Sequence, residues 1–175
     1  MKKFFLFLLS VILLACSCSK LELAGITERI NISLPYNFTS IYIAGDIDVM
    51  FTDDVNTAQI EADVNLLPYV NVYEDGKQLK IEFEKGLNVK SGILEATVML
   101  PYKRGVNIVS AVGAATFMSD YPIVSKDIVI TAIGASEVIC NVLAESSATV
   151  KLTGASSFEC GSLSAGILNL TLTGA

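Results

Sequence analysis

Ile128-Val129-Ile130-Thr131-Ala132-Ile133-Gly134-Ala135-Ser136-Glu137-Val138-Ile139-Cys140 reads as two strand-like halves hinged on a Gly-Ala pair. The pair recurs as Gly113-Ala114, Gly154-Ala155 and Gly174-Ala175, at steps of 21, 20 and 20 residues. A fixed period of about 20 residues built from strand-like sequence predicts stacked coils rather than an ordinary closed domain.

Aligned on the glycine, the positions six, four and two residues before it are Asn107, Val109, Ala111; Ile128, Ile130, Ala132; Ala148, Val150, Leu152; and Leu168, Leu170, Leu172. Nearly all are apolar, while Ser110, Thr131, Lys151 and Thr171 stand between them. A period of two marks strands with one buried and one solvated face. The same parity continues beyond the glycine through Ala115, Phe117 and Ser119, then Ser136, Val138 and Cys140, then Ser156, Phe158 and Cys160. A glycine between the halves suits a bend needing positive φ or close backbone approach. The predicted fold is all-β: a parallel β-helix or β-solenoid over 106–175 with rungs of about 20 residues, preceded by a more irregular antiparallel hairpin region over 31–105. The chain stops at Ala175 halfway through a fourth repeat, without a polar cap, so the native chain is expected to continue beyond it.

In the first half, Ile41, Ile43, Ile47, Val49 and Phe51 keep the inward parity around Gly45, which reads as a divergent rung. Val70 to Tyr73, the turn Glu74-Asp75-Gly76-Lys77 and Leu79 to Phe83 carry a hairpin signal, because Asp-Gly favours a tight turn. A further strand, Glu95 to Leu100, ends at Pro101, which cannot donate to a ladder. The N-terminus has Lys2 and Lys3, an apolar run from Phe4 to Leu14 broken by Ser10, and small Ala15 before Cys16. Residues 1–15 read as a lipoprotein signal peptide, Cys16 as the lipidated residue, and 16–30 as lipid attachment and tether. A plain secretory signal is the alternative; a membrane-spanning helix would need a longer apolar stretch.

The order Ile43-Ala44-Gly45-Asp46-Ile47-Asp48-Val49, Asp-Gly hairpin, Leu79-Lys80-Ile81, a strand closed by Leu100-Pro101, and then Gly-Ala repeats resembles the head GIN domain family of auto-transporter adhesins. Most of its members are lipoproteins of Bacteroidetes. The resemblance covers Phe38 to the end of the chain and rests on Gly45, Gly113, Gly134, Gly154 and Gly174 with their apolar neighbours. It implies an all-β fold and an outer-membrane lipoprotein, facing the cell surface or the periplasm. It brings no catalytic residues.

Charge narrows the classes of partner. The chain has 12 Lys and Arg against 18 Asp and Glu, a formal charge of −6, which becomes −8 once Lys2 and Lys3 are removed with the signal. That balance argues against nucleic acid and against docking on anionic lipid through charge, leaving the membrane contact to the lipid anchor. There is no histidine, so triads with a His base are excluded and zinc sites are disfavoured. Cys140 and Cys160 fall six residues after successive glycines and should stack, either as a disulfide or as two reduced, buried thiols. Asp46, Asp48, Asp53 and Asp54 are the candidate calcium ligands. Asp46 and Asp48 alternate with apolar Ile47 and Val49, so the simpler reading is a solvated strand face leading into an acidic turn. No metal site and no cofactor are assigned.

Polysaccharide-active β-helix enzymes gather carboxylates with Lys or Arg on adjacent rungs. Here 106–175 carries only Asp120, Lys126, Asp127, Glu137, Glu145, Lys151 and Glu159, and no arginine. The sequence therefore reads as a non-enzymatic, lipid-anchored envelope protein acting in adhesion or envelope interaction; its Ser/Thr rows suit a glycan or a protein, and are equally what an ordinary solvated β-solenoid face presents. The alternative is a structural periplasmic component that self-associates into a homo-oligomer; an enzyme acting on polysaccharide comes third.

Overall fold

The computed structural model describes residues 20–34 and 37–174. The signal segment 1–15 and Cys16 lie outside the described residues. The first half supplies β1 (Thr27–Ile32), β2 (Ser40–Gly45), β3 (Ile47–Thr52), β4 (Ala58–Asp63), β5 (Val70–Asp75), β6 (Gln78–Phe83) and β7 (Ala96–Pro101). The repeats supply β8 (Ile108–Gly113), β9 (Thr116–Ser119), β10 (Ile123–Gly134), β11 (Glu137–Ile139), β12 (Val142–Gly154), β13 (Ser157–Glu159), β14 (Leu163–Ser164) and β15 (Ile167–Thr173). A 3-10 turn at Leu67–Tyr69 is the one helical element among the described residues.

These strands make two open, mixed sheets. One has the order β1-β4-β7-β3-β9-β11-β13; the other runs β14-β12-β10-β8-β2-β6-β5, with β15 also paired to β12. Each repeat contributes one strand to each sheet, and the chain changes sheet at the glycine. The alternating pattern thus has two inner faces to fill. Ile41, Ile43, Leu79, Ile81, Val109, Ile128 and Ile130 from one sheet share a core with Ile47, Val49, Phe51, Leu100, Phe117 and Val138 from the other. Between strands the residues stack large on small, as in the column Val98, Val49, Phe117, Val138, Phe158. A Phe packed between two valines fills the space that a uniform ladder would leave void.

The first half is less separate than its sequence suggests. The hairpin β5–β6 forms with Asp75 opposite Gln78, and β1–β4 and β4–β7 are antiparallel. However, β2 runs parallel to both β6 and β8, and β3 runs parallel to both β7 and β9. The expectation of an antiparallel region over 31–105 is corrected accordingly. Four of its seven strands pair in parallel, because β2 and β3 lie directly against the first repeat and share its core. Residues 21–30, read as a tether, are docked rather than loose. Leu21 exchanges backbone hydrogen bonds with Asn88 and Lys90, and the Asp63 carboxylate accepts the Ala24 and Gly25 amides at 3.1 and 2.7 Å.

Three inward positions of the last repeat are not buried. Leu168, Leu170 and Leu172 of β15 are 52%, 57% and 66% exposed. They keep the predicted parity, but the facing sheet ends at β13, so no strand covers them among the described residues.

Candidate functional site

Gly45, Gly113, Gly134, Gly154 and Gly174 form one column, each opposite the next. All have positive φ, from 83° at Gly154 to 145° at Gly174. Close approach adds to this demand: a Cβ on Gly134 would sit 2.8 Å from the Gly113 carbonyl oxygen, and one on Gly154 2.9 Å from that of Gly134. Phe83 covers the near end of the column, its ring 3.1 Å from where a Cβ on Gly45 would be.

The serine two residues after the glycine fastens the corner. Ser136 Oγ accepts the Ile133 amide at 2.9 Å and donates to the Ala111 carbonyl of the preceding repeat at 3.0 Å. Ser156 does the same with Thr153 and Ala132 at 3.0 Å each. A buried hydroxyl is thus satisfied within its own turn and across to its neighbour. Sequence reasoning placed these serines only as small inward residues; the recurring Gly-Ala-Ser triplet was the signal that could have revealed the lock.

The corners hold the eight-stranded sheet in register, and its outer face carries an ordered row of polar groups. Tyr73, Lys80, Tyr42, Ser110, Thr131, Lys151 and Thr171 stand opposite one another in that order across seven strands. At one end the Tyr73 hydroxyl donates to Glu82 at 2.9 Å, which holds its pKa above the usual tyrosine value. Lys80 pairs with Asp75 at 2.6 Å and lies over the Tyr73 ring. Val129 and Ile133 flank Thr131 on the same strand face, so the surface mixes hydroxyls with apolar patches.

The predicted acids do not converge. Asp46 follows the Gly45 corner, Asp48 faces outward opposite Thr97 and Thr116, and Asp53 accepts the Tyr121 hydroxyl. That hydrogen bond, followed by the Asp53 charge and weaker contributions from Asp120 and Asp54, raises the Tyr121 pKa. No group of three metal-ligating side chains occurs among the described residues. Tyr121 ends an aromatic ladder that the sequence did not reveal: ring centroids are 6.2 Å apart for Phe117 and Phe51, 5.1 Å for Phe51 and Tyr102, and 5.0 Å for Tyr102 and Tyr121. Two of the carboxylates on the repeats face hydroxyls of the next turn, Asp127 taking Ser147 Oγ at 2.7 Å and Glu137 taking Ser157 Oγ at 3.3 Å.

Cys140 is buried and Cys160 is exposed, both as free thiols. The expectation of two buried cysteines is corrected for Cys160, because β13 is the last strand of its sheet. Burial, with the neighbouring Cys160 as a second cause, pushes the Cys140 thiol up to about 12.

The family model described as “Putative auto-transporter adhesin, head GIN domain” matches residues 37–175. Among solved structures, a “putative lipid binding protein” from Parabacteroides distasonis is similar at a TM-score of 0.59 and 15% identity, over 89% of this chain and 75% of that one. A “putative adhesin” from the same organism is similar at 0.53 and 19%, over 89% and 82%. At these identities the likeness is one of fold. No curated protein matches the chain.

Proposed function

The chain belongs to the family of the “Putative auto-transporter adhesin, head GIN domain”, and from that premise we propose a lipid-anchored, non-enzymatic binding module of the cell envelope, wound as a β-solenoid and acting in adhesion. The observation that carries the binding role is the row from Tyr42 through Ser110, Thr131 and Lys151 to Thr171, held in register across five parallel strands. Regularly spaced hydroxyls, an aromatic ring and one cation on a hydrogen-bonded sheet suit a glycan or an extended protein segment, because such a surface is already ordered before binding. The Leu13-Leu14-Ala15-Cys16 stretch supports the anchor, with Cys16 as the lipid-bearing residue. The absence of histidine from the sequence and the carboxylates answered by serines support a role without catalysis. The P. distasonis “putative lipid binding protein” raises an acyl ligand as a rival. The filling of this core by Phe38, Phe51 and Phe117 favours a ligand on the outer face instead.

Protease treatment of intact cells tests the reading, with a periplasmic protein as the control. Digestion with the control spared is expected; protection of the chain would remove adhesion and leave a periplasmic role. The exposed β15 side chains Ile167, Leu168, Leu170 and Leu172 favour one second reading, a structural component that self-associates through this edge. Sedimentation over a range of concentrations would reveal it as a rising mass.

A further inference from the structure

We propose that Cys140 and Cys160 close into an intramolecular disulfide by exchange with a disulfide donor of the glutathione or dithiol-protein class, stapling the last two strands of the seven-stranded sheet. The register carries the argument. Val138 stands opposite Phe158 and Ile139 opposite Glu159, so the next pair along the two chains is Cys140 and Cys160. The Cys140 amide donates to the Glu159 carbonyl at 3.1 Å, which keeps the two chains together at this point. Neighbouring strands lie about 4.8 Å apart, within the roughly 4.4–6.8 Å Cα separation that a disulfide spans. Both cysteines continue the inward parity of their strands, and both line one cleft of about 380 Å³ with Ser119, Asn141, Glu159 and Gly161. The cleft gives a donor room to reach them.

The two thiols are not equivalent, and this sets the order of events. Cys160 is exposed while Cys140 is buried and held protonated, so Cys160 meets the donor first. Its thiolate attacks the donor disulfide RSSR, forming Cys160–S–S–R and releasing one RS⁻ that takes up a proton as RSH. Cys140 then attacks the Cys160 sulfur, the Cys160–SR bond breaks, and the second RS⁻ leaves with the proton that Cys140 gives up. In sum the protein loses two protons and two electrons, and RSSR becomes two RSH. The closed loop of the repeat constrains the unfolded chain and so raises the melting temperature.

The full-length chain, reduced and then incubated with oxidised glutathione, supplies the test. Trypsin cuts after Lys126 and Lys151, which places Cys140 on Asp127–Lys151 and Cys160 on the peptide beginning at Leu152. The expected product is one species joining those two peptides, about 2 Da lighter than their reduced sum, with a melting temperature several degrees above that of the reduced chain. Cys140→Ser should halt at the mixed disulfide on Cys160, and Cys160→Ser should leave Cys140 unmodified until the chain is unfolded. Glutathione retained on Cys160 of the native sequence while Cys140 still alkylates after unfolding would overturn the proposal. So would a covalent dimer between two Cys160 thiols.

Discussion

The two ends of the described sheets differ in what lies over them. At the N-terminal end, β5 closes one sheet and β4 with β1 closes the other, all through antiparallel pairs. Phe83 covers the glycine column, and polar pairs such as Arg29 with Glu61 and Lys80 with Asp75 decorate the margin. At the other end, β13 and β15 stand uncovered among the described residues, with Leu168, Leu170 and Cys160 exposed where Ala148, Val150 and Cys140 are buried one repeat earlier. The same inward pattern therefore produces a core only where another layer lies over it. Burial of a repeat side chain is a property of its neighbours as much as of its own sequence.

The largest expected effect tests whether the glycine column needs glycine for space as well as for φ. Gly134→Ala should cost about 4–5 kcal/mol, adding backbone strain to a Cβ driven against the Gly113 carbonyl. Gly76→Ala, at a hairpin turn with positive φ and nothing within 4 Å, should cost only about 1 kcal/mol. Urea midpoints compare the two, and equal losses would show that conformation alone matters.

Phe117→Ala should cost about 3–5 kcal/mol, because the ring is fully buried between Val49 and Val138. Phe158→Ala, on the edge strand β13 and only half-buried, should cost less than half of that. Similar losses in denaturant titrations would mean that the open end is covered in solution.

The reduced thiol at Cys140 gives a pH dependence of opposite sign to that of a paired carboxylate. Its folded pKa of about 12 lies above the ordinary value of 9.0, so its contribution is complete below about pH 9 and is lost as pH rises towards 12. The loss should be on the order of 4 kcal/mol. Cys140→Ala should flatten the stability profile over that window; an unchanged slope would place its origin elsewhere.

Ser136→Ala should cost about 1–2 kcal/mol, by leaving the Ile133 amide and Ala111 carbonyl without the hydroxyl. The natural counterpart at the first corner is Ala115. Native-state hydrogen exchange at Ile133 should speed up in the variant. If it stayed slow, the corner would be fastened by its glycine alone.

The repeats were legible because their partners are local. Ile130, Ala132, Val150 and Leu152 announce their face through a period of two, and a step of about 20 residues brings each against its counterpart. The rung at Gly45 was also visible, since Ile43 and Ile47 carry the same parity about a glycine. The parallel pairing of β6 with β2 and of β7 with β3 was not. In sequence β6 follows a hairpin turn, and nothing local says that its other edge receives β2 from 38 residues earlier. The candidate face shows the same division. Thr131, Lys151 and Thr171 could be aligned by counting, whereas Tyr42 joined them only when β2 docked beside β8, and Tyr121 met Asp53 only across the second sheet.

By itself the sequence determined the all-β class, the period of the turns, the glycine corners and which side chains point inward. Those properties follow from backbone sterics and side-chain alternation, which act over a few residues. The tertiary structure decided the spatial order of the first-half strands, the unequal exposure of Cys140 and Cys160, and the continuous polar row on the outer face. Each of these depends on which distant strand lies alongside, a choice made by filling one shared core between two sheets.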